Sequence, residues 1–283
     1  MKRHRIIAGL LAGLALAAPW SGAAIAQDRP ERVVSINVCT DQLAMLLAAP
    51  GQLYSVSDLA VDARTSAMAD EAQAYPLNHG QAEEIYLMQP DLVVAGAFTA
   101  RAAVDMLRRL GLKVVVFPPA YSLDDVRDRI STMGAALGRE DKAAETIAAF
   151  DTGLAALRDE VTDQPRAALY EANGYTTGDK TLAGEILAAA GFANVAAEAG
   201  YANGGYMPLE VLAMSAPDIV ITGSAYPGAS RAEELLDHPA VAHLRDTRAG
   251  PLLSDHDWVC GTPFVLRAIA GLREARHRLE AEQ

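Results

Sequence analysis

Cysteine is scarce in this sequence: Cys39 and Cys260 are the only two in 283 residues. A scaffold built on disulfides is therefore excluded, and an apolar core has to supply the stability. Positive charge is also short. Lys and Arg total 24 against 36 Asp and Glu, a formal net charge of −12, which argues against nucleic acid or an anionic membrane surface as partner. The signatures of several enzyme classes are missing: no G-x-S-x-G elbow, no phosphate-cradling Gly-Lys-Ser/Thr, no C-x-x-C and no H-E-x-x-H. Long hydrophobic runs are missing too. The one extended run, residues 6–18, is shorter than the roughly 20 residues a membrane-spanning helix needs.

What is present begins with that run. Lys2, Arg3 and Arg5 precede it, Pro19 ends it, and Ala24-Ile25-Ala26 stands before Gln27. That order predicts a secretory signal peptide over residues 1–26, cleaved to leave a periplasmic protein. No cysteine sits at the cleavage point, so the product is expected to be free rather than lipid-anchored.

The rest of the chain alternates β-branched runs with helical patterns, which predicts an α/β fold of mainly parallel sheets with crossover helices. Strands are expected at residues 32–36, 91–95 and 113–117, and again at 166–171, 218–222 and 252–254. Helices are expected at 41–48, 100–110, 181–190 and 263–279. Between the halves, Ile147, Phe150, Leu154, Leu157 and Val161 fall three or four apart and draw one apolar stripe. A helix of about 22 residues reaches about 33 Å, a length suited to bridging two lobes. The expected division is an N-terminal α/β lobe at 27–138, a linking helix at 139–161 and a C-terminal α/β lobe at 162–283.

An internal repeat supports that division. Glu83-Glu84-Ile85-Tyr86-Leu87-Met88-Gln89-Pro90-Asp91-Leu92-Val93-Val94-Ala95-Gly96 is echoed by Glu210-Val211-Leu212-Ala213-Met214-Ser215-Ala216-Pro217-Asp218-Ile219-Val220-Ile221-Thr222-Gly223. Each string reads as a short helix that opens with Glu, ends at Pro and feeds a buried strand. With the opening Arg32-Val33-Val34-Ser35-Ile36 and a single linking helix, these strings resemble the periplasmic binding proteins for iron-siderophores, haem and cobalamin. The resemblance covers nearly all of the chain after residue 26. It implies two lobes joined by one long α-helix, and it implies that Glu83 and Glu210 dock onto arginines of an ABC importer permease in the inner membrane. The alternative for each glutamate is to complement the dipole of its own helix.

In open parallel sheets, ligands bind beyond the carboxyl ends of strands. That rule selects Asn37, Cys39, Phe98, Arg101 and Tyr121 in the first half. In the second it selects Asn173, Tyr175, Ser224, Tyr226 and the cluster Asp255-His256-Asp257-Trp258, with Tyr201 and Tyr206 on a Gly-rich rim. Aromatics are only 6% of the chain, yet several fall on these loops, as a planar or macrocyclic ligand would require. Of the ligand contacts, Asn37, Cys39, Phe98, Arg101, Tyr121, Asn173, Tyr175, Tyr206, Tyr226, Asp257 and Trp258 are the expected set. Trp258 is read as a stacking wall, with core filler as its alternative. Cys39 and Cys260 fall on cleft-side loops, open to three readings: a disulfide across the lobes, two buried thiols, or a thiolate pair gripping a metal.

The expected function is delivery of a metal chelate (ferric siderophore, haem, cobalamin or similar) to the permease by a monomer. No cofactor and no protein-held metal are expected, since the ligand carries its own metal. Arg101 is the one cation placed near the cleft, which disfavours a highly anionic catecholate complex. The competing reading is a periplasmic metal-dependent hydrolase using His79, Asp255, His256 and Asp257. An ion-binding protein of similar shape would need a His-rich loop that the sequence lacks.

Overall fold

Val33-Val34-Ser35 is buried on both faces and forms β1 (Val33–Ser35), as a central strand of a parallel sheet requires. The structure is a computed structural model, and it describes residues 29–223, 230–246 and 255–281. The expected signal peptide, Ser224, Tyr226 and the strand expected at 252–254 lie outside the described residues. After β1 come α1 (Val38–Leu47), β2 (Leu53–Ser57), α2 (Ala69–Ala72), β3 (Leu77–Asn78), α3 (Ala82–Leu87), β4 (Leu92–Gly96), α4 (Arg101–Arg109) and β5 (Val114–Phe117). The strands pair in parallel in the order β3-β2-β1-β4-β5. Connections leave in opposite directions from β1 and β4, so a crevice opens between the carboxyl ends of those two strands.

A helical pair follows. α5 (Leu123–Leu137) opens with a reciprocal capping box between Ser122 and Asp125 and stops at Gly138, whose φ of 64° is left-handed. α6 (Glu140–Ala156) then folds back against α5. The helix expected over 139–161 therefore ends five residues early. Phe150 and Leu154 of its stripe are buried as expected, but Asp159 is drawn away from the helix by the last helix of the chain. Its carboxylate accepts from Arg273 at 2.7 and 2.8 Å, from His277 at 2.8 Å and from Arg276. Hydrogen bonding from Arg273 leads in holding the Asp159 carboxyl well below the usual carboxylate range.

The second half contains β6 (Arg166–Leu169), β7 (Tyr175–Thr176), α7 (Leu182–Ala189), β8 (Ala193–Asn194), α8 (Val195–Glu198), β9 (Gly205–Tyr206), α9 (Leu209–Ser215), β10 (Ile219–Ile221), α10 (Pro239–Asp246), α11 (Asp255–Trp258) and α12 (Val265–Ala281). β10, β6 and β8 make a parallel sheet in that order, while β7 and β9 form a separate antiparallel ribbon. No helix among the described residues is long and apolar enough to cross a membrane.

The repeat extends into the hydrogen bonds. Gln89 and Ala216, the residues before the repeated prolines, both adopt positive φ, at 52° and 44°. Asp91 accepts the backbone N–H of Arg32, and Asp218 that of Arg166. The guanidinium of Arg32 donates to Met88 O at 2.6 Å, and that of Arg166 donates to Ser215 O at 2.6 Å. In each half, one arginine at the head of the first strand closes the end of the short helix and tethers the strand beside it.

Among the described residues, the halves are bound together by further attachments besides the shared apolar core. Cys39 and Cys260 form a disulfide. His256 Nδ1 donates to Ala63 O at 2.7 Å, and Leu123 N donates to Glu185 Oε2 at 2.6 Å. Gly261 lies so close to Ala120 and the Arg129 side chain that a methyl group there would run into Ala120.

Candidate ligand-binding crevice

A cavity of about 500 Å³ opens at the carboxyl ends of the first sheet, lined by Asn37, Ser57, Asp58, His79, Gln81, Glu83, Phe98 and Thr99 with several small apolar residues. Asn37 caps α1 by accepting Cys39 N at 3.1 Å. Its side chain also lies against the end of β4, where a Cβ on Gly96 would sit 2.7 Å from Asn37 Cγ. Glycine at 96 is thus what lets β4 run alongside the cap. Phe98 follows directly and is 84% exposed, a large ring held at the mouth with almost no protein around it. His79 donates from its backbone N–H and from Nδ1 to Glu84, at 2.8 and 3.3 Å.

Beneath the crevice, Ser57 Oγ donates to the buried Asp41 Oδ2 at 2.5 Å. Burial is the leading cause that pushes the Asp41 carboxyl from 3.8 up to about 6, against the lowering effect of hydrogen bonds from Ser35 and Ser57. The folded state therefore holds this proton more tightly than the unfolded chain does. The contribution is full below about pH 4, falls as pH rises towards 6 and is level above that, a loss of about 3 kcal/mol at 1.36 kcal/mol per unit. Asp41→Asn should accordingly stabilise the protein at pH 7.5, with the gain shrinking to nothing by pH 4. Denaturant melts at four pH values check this, and a variant equally or less stable at pH 7.5 would contradict it.

Two of the expected aromatic contacts form a pair. Tyr175 and Tyr206 face each other across the β7–β9 ribbon, with centroids 5.6 Å apart in an edge-to-face arrangement. Both rings are exposed, as is Tyr121, whose backbone N–H is fixed to Asp125. Asn173 is exposed in a left-handed turn (φ 57°), which asparagine tolerates, and its N–H donates to Ala232 O. Tyr201 is half-buried against a second core cluster.

Several expectations are corrected. Arg101 is exposed in the first turn of α4 and is not part of the crevice lining, which takes Ala100, Ala102 and Ala103 instead. A helix turn points neighbouring side chains about 100° apart, so proximity in sequence did not bring the guanidinium inward. Cys39 belongs to the first turn of α1 rather than to a loop, and its bond to Cys260 removes the thiol and thiolate readings. Residues Asp255–Trp258 form the short helix α11, not a loop. Trp258 is 8% exposed and part of the main core cluster, so the expected stacking wall is a packing residue. α11 packs against α7 and α12, and the large apolar indole is drawn into that junction. Asp257 is mostly buried, 3.6 Å from both His256 and Arg267. With His79 on Glu84 and His256 on Ala63, no group of three His, Cys, Asp or Glu among the described residues is placed to hold a metal. The hydrolase reading is left without an assembled centre there.

A second cavity, of about 510 Å³, is lined by Leu123, Leu154, Asp159, Glu185 and Gly191. It lies where α5, α6 and α7 meet, away from the carboxyl ends of both parallel sheets, and so does not follow the rule that places ligands in such folds. His79 is a candidate contact on sequence grounds, whereas Ser57, Gln81 and Thr99 are not anticipated in the crevice by residue type. The same strand-end rule finds Ser57 and Gln81 once β2 and β3 are recognised, but those strands are short and weakly patterned.

Two α/β sheets, with their loops gathered at the carboxyl ends of the strands, have the architecture of a two-lobed solute-binding protein. The family model for periplasmic binding proteins matches residues 33–254, and the chain belongs to that family. It is 31% identical over 210 residues to a cobalamin-binding protein of Halobacterium salinarum, a match covering 72% of this chain and 57% of that protein. An ABC transporter substrate-binding lipoprotein of Bacillus subtilis is 26% identical over 60% of each chain. The chain thus spans a little over half the length of these curated relatives. Among solved structures, the periplasmic haem-binding protein RhuT of Roseiflexus sp. RS-1 superposes with a TM-score of 0.71 at 21% identity, covering 87% of this chain and 98% of that one.

Proposed function

We propose that this protein is the periplasmic solute-binding subunit of an ABC importer and that its ligand is a corrinoid of the cobalamin type. The observation that carries the reading is the chemistry of the crevice. Its described lining contains no Lys or Arg and includes the carboxylates of Asp58 and Glu83. Such a site repels the carboxylates of haem and the charge of a catecholate siderophore. It offers Asn37, Ser57, Gln81 and Thr99 as hydrogen-bonding groups, and Phe98 as an apolar face. A corrinoid is large, partly flat and fringed with neutral amides, which matches that set. The likeness to a cobalamin-binding protein supports the same ligand.

Phe98→Ala tests the site. The ring makes almost no contact with the protein, so the melting temperature should stay unchanged while affinity for cyanocobalamin falls at least about tenfold, or 1.4 kcal/mol. Unchanged affinity in a calorimetric titration would remove Phe98 from the site. Glu83 and Glu210, both exposed at the heads of α3 and α9, are proposed to pair with arginines of the permease. Reversing both charges should abolish uptake. Because Glu83 also lines the crevice, Glu210→Arg alone is the variant that should weaken uptake and leave ligand affinity nearly unchanged.

A further inference from the structure

The repeated helices agree in more than sequence. From residue 83 to 90 and from 210 to 217 the burial pattern is the same at every position. Glu83 and Glu210 are exposed, Ile85 and Leu212 are fully buried in their cores, and two exposed positions follow. The second of these holds a large apolar side chain in both halves. Leu87 is 79% exposed and Met214 is 78% exposed. Each stands four residues after its glutamate, one turn along the same helix face. Single exposed apolar residues are ordinary on protein surfaces. A matched pair at repeat-related positions is different, because Ile85 and Leu212 already anchor each helix and folding gains nothing from Leu87 or Met214.

We propose that Leu87 and Met214 are the apolar anchors of the docking surface, each beside the carboxylate of Glu83 or Glu210. The proposal rests on the docking role given above to the two glutamates. The occupant is the outer face of the importer permease, offering two equivalent recesses, each with a cation beside an apolar hollow. Charge complementarity selects a basic partner: the chain carries a net charge of −12, and His79 engages Glu84 rather than Glu83. The equivalence of the two patches selects a partner with two matching halves. In such a contact the carboxylates steer association, and the anchors, desolvated on docking, slow release.

The test uses the whole protein and the permease–ATPase complex of the same organism in nanodiscs, with association and release followed at several salt concentrations. Leu87→Ala and Met214→Ala should each weaken docking by about tenfold, chiefly through faster release, and the double variant by about a hundredfold. The salt dependence, the melting temperature and cyanocobalamin affinity should not change. Glu83→Arg with Glu210→Arg should instead slow association and reverse the salt dependence. If the alanine variants dock normally while the glutamate variant fails, the anchors are overturned and the docking face stands. If the glutamate variant also docks normally, both readings fall. A loss confined to one of the two single alanine variants would overturn the equivalence of the recesses.

Discussion

Replacing Cys39 and Cys260 together by serine should lower the stability of the folded protein by about 5 kcal/mol. The two cysteines are 221 residues apart in sequence. In the chain-entropy account, closing a loop of about 100 residues removes enough freedom from the unfolded chain to be worth about 4.7 kcal/mol, and the dependence on length is logarithmic. A typical domain is stable by only about 5–15 kcal/mol in total. Removing this one bond should therefore bring the protein close to the unfolding threshold at 37 °C. The placement adds a second effect, because Cys39 lies in the first turn of α1, directly after the crevice residue Asn37. Without the bond, the crevice edge loses its covalent tie to the second half and keeps non-covalent ones, such as the shared core and His256 to Ala63. Denaturant unfolding of the native protein, the same protein under strong reductant and the double variant checks this. The last two should agree, both well below the first. A double variant as stable as the native protein would show that the tether contributes nothing.

Trp258→Ala should cost about 3–5 kcal/mol, the range for truncating a large buried aromatic. Its indole is part of the core cluster that holds Leu187, Ile269 and Leu272. α11 meets α7 and α12 there, so the cavity left behind would loosen the seat of the C-terminal helix. Ligand affinity of the fraction that stays folded should be unchanged, in contrast to Phe98→Ala, which spares stability and removes affinity. Unfolding midpoints and titrations on both variants separate the two roles. Loss of affinity in Trp258→Ala at full stability would place the indole back in the site.

Much of the fold was legible because buried parallel strands are nearly continuous apolar runs, and because the Glu-to-Pro strings announce the same unit twice. What the sequence did not show were features that depend on side-chain direction or on distant partners. The stripe of α6 continues on paper to Val161, yet Asp159 is claimed by two arginines and a histidine of α12, more than a hundred residues away. The residues around Trp258 are polar on one side and apolar on the other, and only the packing of α11 decides which way the indole turns. Arg101 likewise sits where a strand-end rule expects a ligand contact, while the turn of α4 carries it out to solvent. At Asn37 and Phe98 the backbone itself delivers the residue, and both line the crevice. Arg32 and Arg166 were invisible as a pair, since their shared role is to close the ends of helices far along the chain.

The most direct test of the corrinoid reading is calorimetric titration of the native protein with cyanocobalamin, haemin and a ferric hydroxamate siderophore in turn. The absence of Lys and Arg from the described crevice lining predicts saturable one-to-one binding of cyanocobalamin with a dissociation constant of about 1 μM or tighter, about −8 kcal/mol or better, and weaker or no binding of the other two. Saturation by haemin or the siderophore, with no heat from cyanocobalamin, would contradict it.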